Sequence, residues 1–121
     1  AIVSVQDPIR PDEYSEPEPD VALLKPRKDF YESKHPGPDE VLLIIEVSDT
    51  SLEYDKTIKL PMYAKANIPE VWIVDLNGRS VEVYIKPQND QYINKKSYPA
   101  KGKIHCSQLD ANVDLSCIFL I

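Results

Sequence analysis

Glycine is scarce in this 121-residue chain, with three in all, and the scarcity removes one class of function at once. A loop that cradles nucleotide phosphates needs closely spaced glycines, so a small-molecule α/β binding domain of that kind has no support here. Cysteine is nearly as rare. Cys106 and Cys117 lack a Cys-x-x-Cys spacing and have only His105 beside them, so no zinc site is expected and they read as buried free thiols of a cytoplasmic protein. No apolar run approaches the roughly 20 residues of a membrane span. The start shows no basic region, apolar stretch and small-residue cleavage site of a secretory signal. A basic excess is missing too: the formal net charge is −6, whereas a DNA binder usually shows a basic patch.

The charge is unevenly spread. Residues 1–20 hold six acids against Arg10 alone, while the remainder carries fourteen acids and thirteen bases. Lysines and arginine gather at Lys25, Arg27 and Lys28, and lysines again at Lys95, Lys96, Lys101 and Lys103, so contact with phosphate is compatible with the composition without being required by it. The length suits one domain, 1–121, with 42% apolar residues to fill a core.

Along the chain, Ile2 to Val5 reads as a short strand. Pro8, Pro11, Pro17 and Pro19 then hold an acidic connector extended. Val21 to Leu24 is a strand, and Lys25 to Asp39 a surface loop. Val41 to Ser48 has the near-continuous apolar character of a strand buried on both faces. Thr50 to Glu53 has the form of a capping box with Thr50 as N-cap, opening a helix to about Ala66 whose apolar positions Ile58, Met62 and Ala66 predict one buried face. Pro61 should bend it, and Asn67 suits a left-handed terminal residue. Val71 to Val74 follows as a strand ending at Asp75, and strand, helix, strand in this order predicts a parallel pair. Asn77-Gly78 predicts a type I′ hairpin to Val81–Ile85, a strand near Tyr92 to Tyr98 completes a meander, and Leu109, Val113, Leu115, Ile118 and Phe119 form a final packing element. The fold class is α/β: a mixed sheet with a helix crossing between two central strands.

Two carboxylates stand out against this frame. Asp20 heads one strand behind Pro19, and Glu46 lies near the end of the Val41–Ser48 run. An ionised glutamate in such a run costs several kcal/mol unless compensated, and a divalent cation shared with a second carboxylate would compensate it. Alternate residues of a strand share a face, which groups Leu42, Ile44, Glu46 and Ser48 against Leu43, Ile45 and Val47. Metal-dependent nucleases of the PD-(D/E)XK type place an Asp at the head of one strand and an acid-x-Lys at the end of the next. The carboxylates and the intervening carbonyl, here that of Val47, hold Mg²⁺ or Mn²⁺, and the lysine steadies phosphate charge. Ser48 stands where that lysine belongs. Lys59 is the preferred substitute, oriented by Asp55 at i,i+4, with Lys56 the alternative. Asp75 reads as a turn acceptor, Trp72 and Tyr63 as core or interface aromatics, and His35 and His105 as remote from the acids.

Four segments in order resemble the signature of one family: Ser15-Glu16-Pro17-Glu18-Pro19-Asp20-Val21-Ala22, Ile45-Glu46-Val47-Ser48, Tyr54-Asp55-Lys56-Thr57-Ile58-Lys59-Leu60-Pro61-Met62-Tyr63, and Ile68-Pro69-Glu70-Val71-Trp72-Ile73-Val74-Asp75. The chain resembles the Uma-two family of restriction-endonuclease-like proteins. The resemblance implies the PD-(D/E)XK nuclease fold, with Asp20 and Glu46 as metal ligands and a lysine displaced onto the helix at Lys59. Family members usually carry one or two further helices, with another acid, before the Gln6-Asp7-Pro8 segment, so the chain is expected to be an N-terminally truncated form of the domain. The expected function is Mg²⁺-dependent hydrolysis of DNA phosphodiesters, with Asp20, Glu46 and Lys59 catalytic. The alternative is a catalytically silent nuclease-like module that binds DNA or a protein partner. A homodimer fits, because cutting both strands needs two sites.

Overall fold

In a computed structural model of the chain, residues 2–5, 9, 19–27, 34–106 and 110–115 are described. The proline-rich acidic connector, apart from Ile9 and Pro19, lies outside them. So do Lys28, Leu109, Cys117, Ile118 and Phe119.

Six strands form one mixed sheet in the order β1 (Ile2–Val5), β2 (Val21–Leu24), β3 (Val41–Ser48), β4 (Glu70–Asp75), β5 (Ser80–Gln88), β6 (Gln91–Pro99). All neighbours are antiparallel except β3 and β4, which run parallel. A parallel pair needs a crossover, and the crossover is helical: α1 (Leu52–Tyr54), a π-helical turn (Asp55–Lys59) and α2 (Leu60–Lys65). A separate two-stranded ribbon, β7 (Lys103–Cys106) with β8 (Ala111–Asp114), follows β6.

Both faces of the sheet are covered. On the helical side Ile9, Leu24, Val41, Ile44, Tyr63, Ile68 and Val71 form one core cluster. On the other side Leu43, Trp72, Val74, Val81, Ile104, Cys106 and Leu115 form a second, to which the ribbon contributes. Burial on both sides explains the unbroken apolar run of β3.

Three local expectations are corrected. Leu42 does not share a face with Ile44: Leu23 pairs with Leu43 and Leu24 with Val41, so Leu42 is an unpaired bulge residue. It packs with the ribbon-side cluster, and Val41 takes its place on the helical side. Asn77-Gly78 does not form a type I′ turn. The last ladder pair is Asp75 with Ser80, and the positive φ falls on Arg79 (51°), giving a four-residue loop. Asp75 accepts a hydrogen bond from the Gly78 amide at 2.9 Å, as expected of a turn acceptor, and a Cβ at Gly78 would collide with that carboxylate.

The third correction concerns the helix. Ser51 rather than Thr50 is the N-cap, without a side-chain cap bond, and Ile58 is 54% exposed. Pro61 cannot donate, and its ring would press on the carbonyl four residues back. The chain widens into a π turn just before it, with the Leu60 amide reaching the Asp55 carbonyl. That turn shifts the helical phase. Asp55, Tyr63 and Ala64 become the buried positions, and Ile58 swings outward. Asn67 does adopt the left-handed conformation, with φ of 59°.

Candidate metal and phosphate site

Sheet register brings the two acids together. Val21 pairs with Ile45, so Asp20, one residue earlier, stands across from Glu46, one residue later. The Asp20 amide donates to Glu46 Oε1 at 3.2 Å. The Val47 amide, at a point where β2 has run out, donates instead to Asp20 Oδ2 at 2.6 Å. Asp20 thus closes the ladder with its side chain, and its carboxylate is fixed beside the Glu46-Val47 backbone.

Glu46 is 2% exposed. Its Oε2 accepts from the Tyr63 hydroxyl at 2.9 Å and meets Lys59 Nζ at 3.0 Å. Lys59 Nζ also lies 3.5 Å from Asp55 Oδ1. Asp55 in turn accepts from the Ser48 hydroxyl in a short bond, and from Ser51 Oγ at 3.2 Å. Ser48, at the motif's lysine position, therefore carries the carboxylate that anchors the lysine arriving from the helix. The π turn is what aims it, because it turns Asp55 and Lys59 inward together.

The other lysine goes elsewhere. Lys56 Nζ lies 2.6 Å from Glu82 Oε1, so of the two candidates it is Lys59 that reaches Glu46. Sequence reasoning missed Tyr63 as a partner of Glu46. The signal was its i,i+4 spacing from Lys59, which places both over the same row of the sheet. Glu82 was also missed, because an acid in an alternating strand reads as solvent-facing; it is 8% exposed. His105 sits on the ribbon, away from this group, 3.4 Å from Asp110.

The electrostatics show an undercompensated acid. Burial pushes the Glu46 carboxyl above its ordinary value, and Lys59, Tyr63 and the Asp20 amide only partly oppose that. Burial pulls Lys59 down, but the Glu46 and Asp55 carboxylates outweigh it and leave the ammonium firmly charged. Asp20, Glu46 and Asp55 against Lys59 leave this hydrogen-bonded group at −2 when all are ionised. Its oxygens are hard donors of the kind that Mg²⁺ prefers. Among the described residues no three His, Cys, Asp or Glu side chains gather as a cage. Two carboxylates and the Val47 carbonyl would thus leave most positions to water, which is how Mg²⁺ usually binds. The donor set fits such an ion.

Among the described residues no helix is long and apolar enough to cross a membrane. A family model described as "Putative restriction endonuclease" (Uma2) matches residues 1–115. A solved structure described as a "putative nuclease belonging to DUF820" from Anabaena variabilis is similar at TM-score 0.66 and 13% identity, covering 98% of this chain and 67% of that one. At that identity the likeness establishes the fold. No curated protein matches the chain. With six-stranded sheet, crossover helix and family signature in agreement, the chain belongs to the Uma2 family of restriction-endonuclease-like proteins.

Proposed function

We propose that this chain hydrolyses phosphodiester bonds of DNA using Mg²⁺ or Mn²⁺ held by Asp20, Glu46 and the Val47 carbonyl. The observation that carries the reading is the interlocking of Asp20 and Glu46, whose carboxylates accept from the Val47 and Asp20 amides respectively, with a lysine from the crossover helix, Lys59 Nζ being 3.0 Å from Glu46. Family membership supports a nuclease-like role. When bound, the ion would polarise a phosphate oxygen and lower the pKa of a coordinated water.

The protein's own groups have defined parts. Tyr63 and the Asp20 amide orient Glu46, and the Val47 amide orients Asp20. Lys59, with its side chain 24% exposed, presents its ammonium from a fixed seat toward phosphate charge. Asp55 is a positioning residue that holds Lys59 and is itself held by Ser48 and Ser51. A homodimer would supply two such sites for the two strands of a duplex.

A second reading, a catalytically silent nuclease-like module, draws on Ser48 at the motif's lysine position and on hydrogen bonds that already engage both Glu46 oxygens. Nicking of supercoiled plasmid separates the two. The full chain with Mg²⁺ is expected to convert supercoiled DNA to the open form. Asp20→Asn, which preserves shape but weakens the ligand, should lose at least about 10²-fold in rate, some 2.7 kcal/mol of barrier. Equal nicking by wild type and Asp20→Asn, or none by wild type, would overturn the catalytic reading.

A further inference from the structure

Glu46 is not alone in its row. It lies beside Ile73 on β4, and Ile73 lies beside Glu82 on β5. Glu46 and Glu82 therefore share a face, two strands apart, a backbone spacing of about 10 Å. Glu82 is engaged from two sides, by Lys56 Nζ at 2.6 Å from the helical layer and by Lys95 Nζ at 2.9 Å from β6. The Tyr84 hydroxyl adds a hydrogen bond at 2.5 Å. Burial alone would raise the Glu82 carboxyl, but these three donors overcome it and bring it to about 2.

The charges here are opposite in sense to those around Glu46. One carboxylate faces two ammonium groups, so the cluster carries +1. The acid is covered, with its side chain 10% exposed, while Lys56 and Lys95 are 30% and 50% exposed. The surplus charge thus points outward and the carboxylate inward. Lys95 also lies 5.9 Å from the centre of the Tyr84 ring, which limits its wandering. A recess beside Lys56 is lined by Leu60, Pro61, Tyr84, Asp90 and Tyr92; Asp90 pairs with neither lysine. A staple between helix and sheet would need one lysine. The second leaves a single uncompensated positive charge next to a group at −2.

We infer that Lys56 and Lys95, held by Glu82, form a subsite for one backbone phosphate of the substrate strand, adjacent to the phosphate attacked at Asp20 and Glu46. A phosphodiester carries one negative charge, which matches the surplus. The inference rests on the nuclease reading and deepens it: the ligand is a polynucleotide with a phosphate beyond the scissile one, rather than a small phosphodiester.

The test is equilibrium binding of a fluorescent duplex oligonucleotide to the full chain, with Ca²⁺ replacing Mg²⁺ to leave the DNA uncut, over a range of salt. Each neutralised phosphate contributes about 0.9 to the slope of log K against log salt. Lys95→Gln and Lys56→Gln should each weaken binding several-fold and lower that slope by close to one such increment. Glu82→Gln, which raises the cluster to +2, should tighten binding, a sign that no purely structural role produces. Melting curves accompany each variant. Should wild type bind while all three variants keep its affinity and slope, the subsite is refuted and the metal site stands untouched. Failure of wild type to bind or to nick DNA would remove both.

Discussion

Lys59→Ala is expected to abolish metal-dependent nicking, and Ser48→Lys added to it should restore a measurable part. The loss follows from geometry: among the described residues Lys59 supplies the one ammonium that reaches Glu46, at 3.0 Å. Removing one aimed donor from a water-poor site typically costs about 2.7–4 kcal/mol of transition-state stabilisation, a factor of 10²–10³. The recovery follows from register. Position 48 is two residues beyond Glu46 on one strand, so its side chain emerges on the same face, and its hydroxyl already bonds to Asp55. A lysine there would meet the carboxylates that seat Lys59. Ser48 is fully buried, so the larger side chain should be tried only where Lys59→Ala has vacated space; in the wild-type background it would overpack the site. Breaking a buried pair costs up to about 3–5 kcal/mol. The cost should be smaller here, because Lys59 is partly exposed and Glu46 can take up a proton. Melting curves would identify loss of fold. A double variant that melts like wild type yet recovers no nicking would show that Lys59 is not the displaced motif lysine.

The second large effect is expected from Glu46→Gln: nicking falls on the order of 10³-fold, and the metal-free protein loses one component of its pH dependence. The folded carboxyl is raised above the ordinary value of 4.5, so between those two values the native state binds more protons than the unfolded chain. Its contribution to stability is then fully present below 4.5 and fades as pH rises through the raised value. Without a metal, wild type should lose stability relative to Glu46→Gln as pH climbs through that window. Glu82 and Glu40, whose carboxyls are lowered, contribute in the opposite sense in more acid solution, but they are common to both proteins and cancel in the difference. Thermal melts in chelator from pH 4 to 8 measure it, and parallel curves would mean that burial does not burden Glu46. A bound cation should remove the burden at neutral pH, which links this stability cost to function.

Much of the fold was legible because the strongest signals are local. The β3 run, the alternation in β5, Asn67 at the helix end and the strand-helix-strand order each follow from side-chain periodicity or backbone preference. What could not be read depends on neighbours distant in sequence. The Leu42 bulge is a property of how β2 and β3 register, and Ile58 is exposed because Pro61 forces a π turn whose phase periodicity cannot anticipate. Strand ends and i,i+4 spacing singled out Asp20, Glu46 and Lys59, and the structure puts Lys59 Nζ 3.0 Å from Glu46 and the Asp20 amide on the same carboxylate. Tyr63 reads from the sequence as a core or interface aromatic, and its hydroxyl meets Glu46 only through the helix's docking angle. Glu82 was invisible as a buried acid because its partners, Lys56 and Lys95, come from the crossover helix and the edge strand.

Calorimetric titration of Mn²⁺ or Mg²⁺ into the full chain tests the account at its root. One ion per chain is predicted to bind wild type, with binding lost in both Asp20→Asn and Glu46→Gln. Absence of binding to wild type, or binding that survives both substitutions unchanged, would contradict it.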